Sequence, residues 1–216
     1  MSDGGRAQSA SSAARAAHSS VATNFPPPPL GRPRELAQVA KASAKSKKRT
    51  KSGTNKTPRR KGEFYDVVRV RGDGRCMFRA LALALANVAG RVMTSGEEER
   101  EADELRLAVA ESLCRTPEKR QDFSEAVMAI SYEQGLETYC RRILEPAFWG
   151  GEPELLVLSR LIKRPIMVYI HASQAKNAEG HGFVAIQTYG EEFSKGGKRK
   201  PCRLLYNGEN HYDLLI

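Results

Sequence analysis

The sequence is short of cysteine, of aromatic residues and of long apolar runs, and each shortage removes a class of protein. Four cysteines occur in 216 residues, Cys76, Cys114, Cys140 and Cys202. None belongs to a Cys-x-x-Cys pair, which argues against a zinc ribbon or a thioredoxin-like centre. Their wide spacing offers no disulfide framework and fits a reducing compartment. No apolar stretch reaches the ~18 residues that a membrane span needs. The first residues lack the apolar centre of a secretory signal, so no export signal is expected.

Acidic residues are nearly missing from the first part of the chain. Residues 1–62 hold 14 Lys or Arg against Asp3 and Glu35, a net of +12. The remainder holds 21 basic and 23 acidic side chains, a net of −2, and the two parts sum to +10. The basic character therefore belongs to the leading segment and not to residues 63–216. Residues 1–62 also carry a single aromatic, Phe25, and are rich in Ala, Ser, Pro and Lys. They are expected to form a disordered tail, because they bury too little apolar surface to offset ordering. Within them, the prolines at 26–29 favour extended polyproline geometry. The basic clusters at 45–51 and 59–61 serve equally as a linker, a nuclear address or a weak nucleic-acid patch. The Ser/Ala/Arg-rich start is similar in composition to organelle transit peptides, so cytoplasmic, nuclear and organellar locations stay open.

Residues 63–216 read as one ordered domain. Val67, Val68 and Val70 form a short β-prone run. The Ala/Leu-rich stretch after Cys76 predicts a helix that stops near Gly90. Three N-terminal capping patterns come next, at Ser95-Gly96-Glu97-Glu98, Thr116-Pro117 and Ser131-Tyr132-Glu133-Gln134, and predict a helical middle. Pro146 is expected to end the last of these helices, and Pro153 to open another that reaches Ile162. Strands are expected at 166–170, 183–188, 203–206 and 211–216, with polar loops at 171–182 and 191–201. The last two strands meet across Asn207-Gly208-Glu209-Asn210 as a hairpin. Helices first and strands last give an α+β fold with a small sheet.

Chemistry concentrates in Gly72-Asp73-Gly74-Arg75-Cys76-Met77-Phe78-Arg79-Ala80. Two glycines permit a tight turn, and Asp73 suits the N-cap of the helix behind it. Cys76 then lies in the first helical turn, where the positive end of the helix dipole favours thiolate over thiol. Backbone N–H groups of Gly74, Arg75 and their neighbours are placed to hold an oxyanion. A buried cysteine that merely starts a helix satisfies the same pattern. A nucleophilic cysteine needs a base, and the base needs an orienting group. His18 falls in the tail, and His171 and His181 sit in or beside a polar loop. His211 and Asp213 stand two apart on the last strand, hence on one face. The carboxylate can then hold one ring nitrogen while the other faces the sulfur.

Taken together, three segments resemble ovarian-tumour (OTU) domain cysteine proteases. The Gly72–Ala80 stretch resembles their nucleophile motif. Trp149-Gly150-Gly151-Glu152-Pro153-Glu154-Leu155 is similar to their middle motif, and Asn210-His211-Tyr212-Asp213 to their closing one. The middle segment looks most like plant or algal members, and residues 1–62 are not covered. The resemblance implies a papain-like α+β fold, with a small mixed or antiparallel sheet packed between helices. It implies hydrolysis after the C-terminal glycine of ubiquitin, with ubiquitin chains and ubiquitinated proteins as partners and no metal or cofactor. It assigns Cys76 as nucleophile, His211 as base and Asp213 as its orienting group, and it counts Asp73 with the active site. Trp149 and Gly150 are candidates for the wall of a narrow channel, Trp149 being equally a core residue. A competing reading keeps the fold as a catalytically weak ubiquitin-binding module whose basic tail contacts nucleic acid.

Overall fold

The computed structural model describes residues 60–194 and 199–216, so the proline run and the basic cluster at 45–51 lie outside the described residues. Two short strands open it, β1 (Arg60–Lys61) and β2 (Val67–Val68). The described backbone thus includes a strand ahead of Glu63. The Arg60 N–H donates to Asn177 O at 2.9 Å, and β1 pairs in parallel with a short strand at 178–179.

The first helix, α1 (Cys76–Val88), sits at the centre. Its Ala-Leu-Ala-Leu-Ala-Leu-Ala run combines strong helix formers with small side chains, so the backbone can come close to its neighbours. Nearly the whole of its first two turns is buried, as a central helix requires. It ends at Ala89, and Gly90 comes next at φ +69°, a left-handed angle suited to glycine.

The second helix, α2 (Ser95–Cys114), starts one residue earlier than its Ser95 capping pattern predicts. Thr94 is the cap. Its hydroxyl accepts from Glu97 N at 3.3 Å, and the Glu97 carboxylate accepts from Thr94 N at 2.8 Å. Thr116 caps α3 (Pro117–Gln121) as expected. The helix does not continue from there, because Phe123 takes a non-helical conformation (φ −122°, ψ 33°) with its ring buried. A separate helix, α4 (Ser124–Glu133), succeeds it. The pattern at Ser131 starts nothing, since Ala126 and Ile130 already commit that segment to the core and Ser131 falls in the last turn of α4. The next helix, α5 (Leu136–Arg142), begins only after Gly135 and stops well ahead of Pro146. Then comes α6 (Glu152–Leu161), with Pro153 in its first turn.

The remaining strands are β3 (Ile166–His171), β4 (Ala178–Glu179), β5 (Phe183–Tyr189), β6 (Cys202–Tyr206) and β7 (Tyr212–Leu215). The polar stretch 171–182 is not all loop, because it contains a 3-10 turn at Ala172–Gln174 as well as β4. Five strands form one mixed sheet in the order β2-β7-β6-β3-β5, in which only β3 and β6 run parallel. The α+β architecture matches the sequence expectation. α1 lies against β6 and β7, and α2 packs on α1 and α6. Phe78, Leu81, Leu113, Ile130, Leu158, Ile166, Leu204 and Leu214 are all buried in one core. Each such side chain contributes roughly 1.5–3 kcal/mol by leaving water.

One sequence expectation fails here. Cys114 at the end of α2 and Cys140 in α5 form a disulfide, with their Cα atoms 5.6 Å apart. Their 26-residue separation hides the pairing in the sequence, because α3 and α4 form a loop that returns the chain to its starting point. Cys76 and Cys202 are free and buried.

Candidate active site

Cys76 is the first residue of α1, and the turn before it is tied down on every side. Asp73 N donates to Arg71 O at 3.0 Å, Arg75 N to Asp73 Oδ1 at 2.9 Å and Cys76 N to Asp73 O at 3.1 Å. Asp73 is therefore not the helix N-cap that the sequence suggests. The cap position is Arg75, without a side-chain bond, and Asp73 closes the turn two residues ahead of it. Its carboxylate is claimed instead by Arg79 one helical turn later, with Nη2 3.0 Å from Oδ2. Burial alone would raise the Asp73 carboxyl, but the bonds from Arg79 and Arg75 N outweigh it and hold the group below the usual carboxylate range.

Arg79 is itself buried, and it also donates to Glu98 at 3.2 Å and Glu99 at 3.1 Å at the start of α2. Arg75 adds a second tie, with Nε 2.7 Å from Asp103 Oδ1. The turn and α2 are thus joined by two arginines and four carboxylates. Of the turn's four N–H groups expected at an oxyanion, those of Asp73, Arg75 and Cys76 already donate within the turn.

Gly74 and Gly150 mark close approaches. A Cβ on Gly74 would lie 2.2 Å from Pro146 O and 2.8 Å from Ala147 C. A Cβ on Gly150 would lie 2.5 Å from Met77 Cε and 2.9 Å from Phe78 Cε2. Gly150 thus packs on the residues just after the cysteine, and Trp149 is half-buried against the main core. Next to them, Glu154 is buried, with Gly151 N donating at 2.6 Å and the Tyr139 hydroxyl at 2.7 Å. Burial pushes the Glu154 carboxyl up against those bonds.

The other half of the site comes from the β6–β7 hairpin. The Asn207 side chain accepts from the N–H groups of Glu209 (2.9 Å), Asn210 (2.9 Å) and His211 (3.0 Å), folding the loop around one carbonyl oxygen. His211 Nε2 then lies 3.1 Å from Asp213 Oδ1. Asp213 is buried and also receives Val70 N at 2.9 Å and Arg69 Nη1 at 2.7 Å. Burial favours its neutral form, but the bonds from Val70, His211 and Arg69 leave its carboxyl below the usual range.

The two halves meet at the sulfur. Cys76 Sγ lies 3.9 Å from Asn210 O, next to His211 in the chain. The N–H groups of Tyr212 and Met77 point at the sulfur and favour thiolate, as the helix start leads one to expect. Burial is the larger effect, and with the charges of Asp73 and Asp213 it pushes the thiol up. Burial thus opposes the thiolate that the helix start favours at this position. His211 Nδ1, the nitrogen not used by Asp213, faces the turn, 3.9 Å from a Cβ built on Gly72. His171 is not part of this cluster and packs on Phe183.

The structure thus gathers Asp73, Gly74, Arg75, Cys76, His211 and Asp213 where the start of α1 meets the β6–β7 hairpin, with Gly150 against Met77 and Phe78. Sequence reasoning missed Arg69, Arg79, Arg106, Glu154 and Asn207. Arg79 and Glu154 carried a signal, a charged residue on an otherwise apolar helical stretch, whereas Arg106 and Arg69 looked like ordinary surface arginines.

The family model described as OTU-like cysteine protease matches residues 71–212. The chain is 48% identical over 175 residues to OVARIAN TUMOR DOMAIN-containing deubiquitinating enzyme 3 of Arabidopsis thaliana, covering 77% of this chain and 75% of that protein. It is 36% identical over 153 residues to the deubiquitinating enzyme 4 of the same plant, covering 70% of this chain and 43% of that protein. Among solved structures, an OTU deubiquitinase from Wolbachia pipientis wMel bound to ubiquitin matches with a TM-score of 0.48 at 19% identity, over 70% of this chain and 95% of that one.

Proposed function

The chain belongs to the OTU-like cysteine protease family, and on that premise we propose that it is a deubiquitinase that hydrolyses the bond after the C-terminal glycine of ubiquitin. The observation that carries this reading is the delivery of a His211–Asp213 pair, 3.1 Å apart, by β7 to the start of the helix that bears Cys76.

In this mechanism His211 takes the Cys76 proton on Nδ1, while Asp213 holds Nε2 and stabilises the imidazolium. The sulfur attacks the glycine carbonyl. The oxyanion is received by turn N–H groups, with Gly74 the first candidate because its neighbours in the turn already donate. His211 then returns its proton to the departing lysine amine, and water cleaves the thioester. Because burial pushes the Cys76 thiol up, this mechanism places proton transfer to His211 together with the attack rather than before it. Trp149 and Gly150 are proposed to border the channel for ubiquitin's Gly-Gly end, Gly150 by seating Met77 and Phe78.

Cys76→Ala should abolish turnover of a ubiquitin–fluorophore conjugate, and the wild-type chain should label with a ubiquitin probe that carries a C-terminal electrophile. A wild-type chain that binds ubiquitin without labelling would instead be a binding module.

A further inference from the structure

Arg106, in the middle of α2, is buried at 2% exposure, yet its hydrogen bonds go to no carboxylate among the described residues. Its guanidinium donates to three backbone carbonyls. Nη2 lies 2.9 Å from Gly74 O and 3.3 Å from Phe148 O, and Nη1 donates to Glu145 O. Its carbon sits 5.1 Å from the centre of the Phe78 ring, and its buried Nε has no acceptor. A buried cation without an anion costs several kcal/mol, and an orphaned buried donor adds to that. A hydrophobic residue of similar volume would serve packing better.

The acceptors show what the guanidinium does. Gly74 O and Arg75 N belong to the same peptide unit, the one that joins Gly74 to Arg75 just ahead of the Arg75–Cys76 bond. Arg106 holds its carbonyl end and Asp73 Oδ1 holds its N–H end at 2.9 Å. A peptide gripped at both ends cannot rotate about its flanking bonds, even though Gly74 gives it freedom to do so. The same guanidinium also grips the segment 145–148, whose backbone leaves no room for a Cβ at Gly74. That segment leads directly into Trp149 and Gly150. One side chain therefore sets both the orientation of the turn before the nucleophile and its distance from the segment behind it.

We propose that Arg106 is a positioning residue for amide hydrolysis, clamping the Gly74–Arg75 peptide and the 145–148 segment in the arrangement that receives the tetrahedral oxyanion. The assignment rests on the peptidase reading above. It has a distinguishing signature, because alkylation of Cys76 by iodoacetamide forms no oxyanion and does not need the clamp, whereas amide hydrolysis does.

Arg106→Lys keeps the charge and the contact with Phe78, but a single ammonium cannot span three carbonyls. Its kcat on a ubiquitin–fluorophore conjugate should fall by about tenfold or more with KM within about threefold, since a small misplacement of catalytic groups costs up to about 10²-fold. Alkylation of Cys76, followed on its own peptide by mass spectrometry so that Cys202 does not interfere, should stay within about twofold of wild type. Arg106→Met removes every donor at similar volume and should lose at least as much kcat with the same unmoved alkylation. Wild-type kcat in the Lys variant, or hydrolysis and alkylation falling together in both variants, would overturn the assignment. A wild-type chain without turnover would overturn the peptidase reading as well, and so is told apart from a failure of Arg106 alone.

Discussion

Cys76 shows two local effects in competition. The helix start and two backbone N–H groups favour the thiolate, and burial beside two carboxylates favours the thiol more strongly. A thiol held above its ordinary value of ~8.5 gives up its proton only in more alkaline solution. Alkylation of Cys76 in the free domain should therefore be slow at neutral pH and rise only at a pH higher than an ordinary free thiol requires. A rate that levels off near pH 7 would show an activated thiolate at rest. The same residue carries a stability consequence. The unfolded thiol ionises first, so stability falls as pH rises from the unfolded value toward the raised folded one. Asp213 has the opposite sign. Its carboxyl is lowered in the fold, so its contribution is present above ~3.9 and is lost as pH falls below that.

At the scale of elements, the pairing of α2 with α5 through Cys114–Cys140 is the feature with the largest expected effect. A cross-link closing a 26-residue separation contributes about 3.5 kcal/mol in the chain-entropy account. Cys114→Ser, or mild reduction with Cys76 unmodified, should lower the urea midpoint by a corresponding amount without abolishing turnover. An unchanged midpoint would show that α3 and α4 hold that region without the bond. This element was illegible in the sequence because a disulfide depends on where a loop returns, and spacing carries no trace of that. Helix starts were legible wherever a cap acts alone, as at Thr116. They were misplaced wherever the core overrode it, as at Ser131, whose capping pattern lies inside a helix fixed by Ala126 and Ile130. The site divides in the same way. Cys76, His211 and Asp213 could be read from strand alternation and the turn glycines. Arg106 could not, since its acceptors are backbone carbonyls up to 42 residues away.

At the scale of the whole molecule, the ordered unit takes in β1. The Arg60 side chain donates to Ala185 O at 2.6 Å, and the Gly62 backbone lies against His181, where an added Cβ would sit 2.1 Å from the carbonyl oxygen. A chain beginning at Arg60 should keep kcat within about twofold of the full chain, as expected of a unit that folds alone. Starting it at Glu63 instead should lower the thermal midpoint, and a large loss of turnover in the Arg60 chain would give the basic segment a catalytic part. The strand order has a consequence in time. β7, which comes directly after His211 and carries Asp213, is an inner strand between β2 and β6, yet it is the last of the described strands to leave the ribosome. At about 5–20 residues per second, Cys76 waits roughly 7–27 s during synthesis before His211 exists. On the proposed mechanism a nascent chain is silent throughout that interval, so a translating ribosome would not display a half-built peptidase.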